Sequence, residues 1–394
     1  VMGLALTPDE VAALEGRTEG WIAGLQLAAL SMQGRKDVGG FIQAFAGDHR
    51  YIVDYLVEEV LARQGPEVRT FLRQTAILDQ LHGPLCDAVT GQAGGQARLE
   101  ALQRGNLFVV PLDDKRQWYR YHHLFADVLQ MHLGAEQRDT VPELHRRAST
   151  WFAQHGTPDD AIRHALAGED FEAAAGLIEP AIPELRRTRQ EATMLRWLRA
   201  LPQDEVHRRP VLCLHFAGAL LLNGEYGEAE SRLHDAERLL AGEAETGTGA
   251  PLAGDMIVVD QEEFRRVPGW IQVYRAGLAL AQGDVTGTLH HAGLAREHMA
   301  VGDHLGHGAA AGLQGLAMWA TGDLTAAHQF YVECMTSLLA AGYVSDALGC
   351  TITMADIRIA QGRLHDAMRH YLRGLELGGA GGGTPLRGTA DMLV

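Results

Sequence analysis

Gly322-Asp323-Leu324-Thr325-Ala326-Ala327 returns forty residues later as Gly362-Arg363-Leu364-His365-Asp366-Ala367. A glycine at a helix end can take the left-handed backbone that a Cβ disfavours, and the apolar residue just beyond it starts a second helix facing the first. The same form stands at Gly283-Asp284-Val285 and Gly224-Glu225-Tyr226-Gly227-Glu228-Ala229, with a divergent copy at Glu169-Asp170-Phe171-Glu172-Ala173-Ala174. The last three glycines lie 39 and 40 residues apart. That period suits a repeating helical hairpin whose neighbours stack into an α-solenoid. From Gly224 to Gly283 the gap is 59 residues, and Gly242 to Gly254, rich in Gly, Thr and Ala, is expected to absorb the excess as a loop.

Upstream the periodicity changes. Thr7-Pro8-Asp9-Glu10 has the form of a capping box, and helices are expected to about Gly16, from Gly20 to Met32, at Phe41 to Phe45 and from Ile52 to Leu61. Pro66 opens a helix with Val68, Phe71 and Leu72. A second carries Leu85, Cys86 and Val89, and a third carries Leu99 and Leu102 before Gly105-Asn106. Phe108, Val110 and Leu112 then alternate, Asp113 to Arg116 forms a polar turn, and Trp118 to His122 alternates again ahead of a helix with Leu124, Val128 and Leu129. Three helices and a two-stranded wing make a winged helix. The expected fold is mainly α: a helical segment over 1–65, a winged helix over 66–133, and a tetratricopeptide-like α-solenoid over 134–394.

The formal charge of −16 opposes approach to a phosphate backbone, and the wing lacks a basic third helix, so this stretch is not expected to read DNA. The short basic runs Arg186 to Arg189 and Arg208 to Arg209 are expected on solvated helix surface. No apolar run approaches membrane-spanning length, and no N-terminal secretion signal is evident. Cys86, Cys213, Cys334 and Cys350 are too scattered for a zinc ribbon or a disulfide framework and are expected in the core. No phosphate loop, H-E-x-x-H motif or credible nucleophile grouping occurs, so no enzyme is expected. His304-x-x-His307 lies in a glycine-rich context that points to an inter-helix turn, and His290-His291 diverge on a helix; no metal site is expected. Among the repeat aromatics, Trp270, Tyr274, Trp319, Phe330 and Tyr331, most should pack between helices. Trp270, Tyr274, Trp319 and Tyr331 are the candidates for lining an effector or partner groove.

Arg17-Thr18-Glu19-Gly20-Trp21-Ile22-Ala23-Gly24-Leu25-Gln26-Leu27-Ala28-Ala29-Leu30 resembles the end of the nucleotide-binding module in MalT-like LuxR regulators, members of the signal-transduction ATPases with numerous domains. Tyr119-Arg120-Tyr121-His122-His123-Leu124-Phe125-Ala126-Asp127-Val128-Leu129 resembles the end of that family's winged helix. Leu144-His145-Arg146-Arg147-Ala148-Ser149 and Ala161-Ile162-Arg163-His164-Ala165-Leu166 resemble the entry to its helical repeats. The resemblance implies an internal segment, cut within its repeats, of a cytoplasmic ATP-dependent transcriptional regulator. In such a regulator an unknown small-molecule or protein effector binds the repeats, ATP or ADP binds a preceding module, and DNA binds only a following one. The segment itself would need no cofactor. His122 occupies the place of a class histidine that approaches the β-phosphate of ADP, which makes it either a nucleotide sensor in the longer protein or a structural histidine of the wing. The exposed face of an incomplete repeat implies self-association. A free-standing tetratricopeptide-like scaffold without a nucleotide switch is the alternative.

Overall fold

A computed structural model describes residues 6–32, 39, 42, 55–242, 256–300 and 302–379. The expected helix at Phe41 to Phe45 apart from Ile42, nearly all of the Gly242 to Gly254 loop, the glycine run beyond 379 and a helix expected from Thr384-Pro385 lie outside the described residues. The chain divides into two compact units, Val1–Ala174 and Ala175–Val394.

In the first unit, α1 (Pro8–Thr18) opens on the expected capping box: the Thr7 hydroxyl accepts from the Glu10 amide and the Glu10 carboxylate accepts from the Thr7 amide. Helix α2 (Ile22–Met32) follows, and a π-helical turn spans Tyr55–Leu61. The winged helix is built from α3 (Pro66–Thr75), β1 (Leu81–His82), α4 (Gly83–Thr90), α5 (Gly95–Arg104), β2 (Val109–Pro111), β3 (Trp118–Tyr121) and α6 (His123–Glu136). The wing turn forms because the Asp113 carboxylate accepts from the amides of Gln117 and Trp118, at 3.0 and 2.9 Å. Strand β3 is central, pairing Tyr121 with Val109 on one side and Tyr119 with Leu81 on the other. The third strand, β1, is two residues long and too short to alternate visibly in sequence. Phe71, Leu85, Leu99, Tyr119, Leu124 and Phe125 fill the core. Helices α4 and α5 meet backbone to backbone: a Cβ on Gly95 would stand 2.6 Å from the Gly83 carbonyl.

Two further helices, α7 (Val141–Gln154) and α8 (Pro158–Ala167), pair with each other, and α7 also packs on α4. The first compact unit therefore runs about forty residues past the boundary at 134 read from sequence, because the entry to the repeats shares the winged helix's core. His145 and His164, one from each motif of the entry segment, meet here with their Nδ1 atoms 2.8 Å apart.

The division between units falls inside α9 (Phe171–Arg187). In the second unit come α10 (Glu191–Ala200), the short α11 (Gln203–His207) and four helical hairpins. These are α12 (Pro210–Leu222) with α13 (Tyr226–Ala241), α14 (Gln261–Ala281) with α15 (Val285–His298), α16 (His304–Ala320) with α17 (Leu324–Ala340), and α18 (Val344–Ala360) with α19 (Leu364–Gly379). Gly224, Gly283, Gly322 and Gly362 all take positive φ, as the repeat pattern requires. Gly342 does so too, between hairpins, so glycine marks connections of both kinds.

Three expectations need correction. Arg209 is not surface: at 2% exposure it sits in the core 4.0 Å from Glu179, whose carboxylate also accepts from the Val259 and Asp260 amides and so ties α9 to the start of α14. Arg186 is not simply solvated, since its guanidinium lies over the Trp270 ring, 4.2 Å from the centroid. Nor do the glycines from 302 to 308 form an inter-helix turn alone: Gly306 and Gly308 belong to the first turns of α16. They are small because Met299 and Leu338 pack against them. All four cysteines are buried, as expected.

Candidate functional site

The second unit contains a cavity of about 380 Å³ whose walls come from α9, α10, α12, α14, α16, α17 and α18. Trp270 and Tyr274 are one helical turn apart on α14, which places both rings on one face, 5.6 Å between centroids. Tyr343, the residue preceding α18, adds a third ring, while Met194, Leu222 and Leu313 supply apolar wall. Gly218 in α12 makes room for Tyr274: a Cβ there would lie 2.4 Å from the ring's Cζ. Burial pushes the hydroxyls of Tyr274 and Tyr343 above the usual phenol range, so both stay neutral hydrogen-bonding groups.

Of the four groove candidates, then, the cavity brings Trp270 and Tyr274 together. Trp319 and Tyr331 are elsewhere. Tyr331 is 7% exposed within a cluster that includes Met335, Met354 and Ile357, and it packs on Gly315, where a Cβ would stand 2.9 Å from its ring; Trp319 packs against the same cluster. Helical spacing could not separate these roles, because residues on either flank of a solenoid helix are equally aromatic and equally periodic. Arg186 was read in the sequence as solvated helix surface, and Tyr343 was not singled out. Gly218, a glycine inside the apolar run from Val211 to Leu222, was the one available signal of a close approach.

His122 stands at a different place, where the N-terminal segment meets the winged helix. It immediately precedes α6, is 6% exposed, and its Nε2 lies 2.8 Å from the carbonyl oxygen of Thr18 at the end of α1. A carbonyl only accepts, so Nε2 carries the proton and Nδ1 is left as a buried lone pair without a partner. Burial pulls the imidazole below its usual range and keeps it neutral. In that form the ring offers a phosphate oxygen no second donor; it would need an added proton at Nδ1. Trp21 and Phe108 approach the ring edge to face, and His123 stacks on it.

Glu19 completes this junction. Its two oxygens accept from Arg120 at 2.9 and 2.8 Å, and one also pairs with His123 Nδ1 at 2.8 Å. Desolvation would raise this carboxyl, but the hydrogen bonds from Arg120 and His123 outweigh it and hold it at about 2. Glu19, His122 and His123 place ligand atoms within 4.8 Å of one another, a grouping hidden in sequence by more than a hundred intervening residues. A cation there would face the Arg120 guanidinium already paired with the carboxylate. His304 and His307 lie in the first turn of α16, where His307 is 3.2 Å from the Ala300 carbonyl oxygen.

A three-stranded winged helix followed by helical hairpins defines a fold class, that of a winged helix joined to a tetratricopeptide-like α-solenoid. Residues 57–141 match the family described as the MalT winged helix domain, and residues 269–394 match the MalT-like tetratricopeptide region. Over these two stretches the chain is MalT-like. It is 30% identical over 355 residues to the HTH-type transcriptional regulator MalT of Cronobacter sakazakii, covering 88% of this chain and 37% of that protein. It is 37% identical over 220 residues to the serine/threonine-protein kinase PknK of Mycobacterium tuberculosis, covering 56% of this chain and 20% of the kinase. Among solved structures it is similar to a signal transduction ATPase with numerous domains, carrying a tetratricopeptide repeat sensor, from Pyrococcus horikoshii. The TM-score is 0.55 at 14% identity, over 96% of this chain and 52% of that one. The chain thus spans between a fifth and about half of the proteins it matches. Among the described residues no helix is long and apolar enough to cross a membrane.

Proposed function

We propose that this chain is the sensor segment of an ATP-dependent, LuxR-type transcriptional regulator acting in the cytoplasm. Its helical repeats bind an effector, and its winged helix passes the occupancy of that site to a nucleotide-dependent switch in the longer protein. The segment is not itself an enzyme and holds no cofactor; ATP or ADP and DNA belong to other modules. The observation that carries the reading is the cavity faced by Trp270, Tyr274 and Tyr343, set in the repeats of a MalT-like chain. An apolar concavity with a few polar groups at its wall is the usual form of a small-molecule site. The test is a reporter of effector-dependent transcription in cells carrying the longer reading frame. Tyr274→Ala should alter the response to inducing growth conditions while leaving protein abundance unchanged. An unaltered response would remove the cavity from the signalling path.

A second reading rests on the kinase relative. A protein named a serine/threonine kinase shares 220 residues with this chain at 37% identity, so the same sensor can serve a phosphorylating output as well as a DNA-binding one. The reading frame around the segment separates the two, since one places a kinase domain and the other a helix-turn-helix in the same polypeptide.

A further inference from the structure

We infer that the repeat cavity takes a small anionic ligand with an apolar or aromatic body, its carboxylate or similar group bound by Arg186. This rests on the reading of the cavity as an effector site and adds the chemistry of the effector. The argument begins with the charges on the wall. Arg186, Glu191 and Asp346 are the three ionised residues lining the cavity. Asp346 is paired with Arg189 just outside, so its charge is offset. Glu191 lies in the first turn of α10, where a carboxylate is held by the helix's own positive end. Arg186 has no such close partner: among the described residues no carboxylate lies within ion-pairing distance of it, the Glu263 carboxylate feels its charge only from further off, and its guanidinium lies over the Trp270 face.

A guanidinium held over an indole ring is positioned without being neutralised. A contact with the ring consumes none of the guanidinium's N–H donors, which stay available as the fork that matches a carboxylate. The same contact fixes the side chain's rotamer, so little conformational entropy is lost when an anion arrives. Below the guanidinium the walls are apolar and aromatic, with Met194, Leu313, Leu338 and the rings of Tyr274 and Tyr343. A cavity of about 380 Å³ has room for a ligand of roughly ten to fifteen heavy atoms, at the lower end of small-molecule sites. The chain's overall charge of −16 repels anions at long range, so any preference for an anion here has to come from Arg186 locally.

Three probes with one apolar body isolate the charge: 4-phenylbutyrate, 4-phenylbutan-1-ol and 4-phenylbutylamine, titrated into the full chain by calorimetry. The expected order is carboxylate tightest, by about tenfold over the alcohol, and amine weakest. Arg186→Gln should bring carboxylate and alcohol to the same affinity, with the circular dichroism spectrum and melting temperature close to those of the parent. Equal binding of carboxylate and alcohol to the parent chain would overturn the anionic class and leave the cavity as a site for a neutral effector. A carboxylate preference that survives Arg186→Gln would overturn the role given to that residue. If none of the three binds, and Tyr274→Ala also leaves the reporter response unaltered, the effector reading of the cavity fails together with this one.

Discussion

A single hydrogen atom at Gly218 decides whether the cavity has its present shape. Its Cα stands close enough to Tyr274 that any side chain would collide with the ring's far end, 2.4 Å from Cζ. Gly218→Ala should therefore displace Tyr274 rather than unfold α12, costing about 1 to 3 kcal/mol as an overpacked site does. It should also weaken phenylbutyrate binding at least tenfold. Unchanged affinity with an unchanged melting temperature would mean that the ring has room to move without cost. His145 and His164 make a second residue-scale device. Burial, followed by the nearby charge of Arg163, pulls them down to about 4 and about 3. An imidazole with an ordinary value near 6.5 in the unfolded chain then contributes stability that is fully present above that pH and is lost as pH falls towards 4. The melting temperature of the first unit should drop between pH 7 and pH 5, and His164→Gln should flatten that slope. Both histidines were legible as members of the entry motifs. Their contact was not, because it depends on how α7 and α8 cross.

Among the elements, the glycines that divide the repeats were legible because the left-handed backbone admits few other residues, and the wing was legible because strand alternation differs so plainly from helical spacing. The caps next to those glycines went unread. Asp284, Asp303 and Asp323 each accept from an amide in the first turn of the following helix, which satisfies a donor the helix cannot satisfy itself. Asp323→Ala should cost about 1 kcal/mol, visible in chemical denaturation of the second unit, whereas Arg363→Ala at the corresponding position should cost much less because it supplies no such cap. Equal losses would show that the carboxylate contributes through charge alone. The buried Arg209 and Glu179 were illegible for a related reason: a charged pair on two distant helices looks like two surface residues until the helices are packed.

For the whole molecule, the proposed relay requires that what happens in one compact unit be felt in the other, and that requirement can be measured without knowing the effector. Calorimetric unfolding should resolve two transitions, one for each unit, 1–174 and 175–394. The His164→Gln substitution identifies the first, because the histidine pair lies within it, whereas acid also weakens the second through its own partly buried histidines such as His328. Ligand identifies the second: phenylbutyrate at about a hundred times its dissociation constant stabilises the folded site by about 2.7 kcal/mol, which for a unit of this size raises the midpoint by roughly 5 to 10 °C. If the repeats signal through the winged helix, the same ligand must also shift the first transition, since a coupling free energy between two sites acts in both directions. The expected outcome is a smaller but reproducible shift of the first unit's transition, the one moved by His164→Gln, abolished by Arg186→Gln. A first transition that stays fixed while the second moves by several degrees would leave the repeats able to bind but unable to relay through these two units alone.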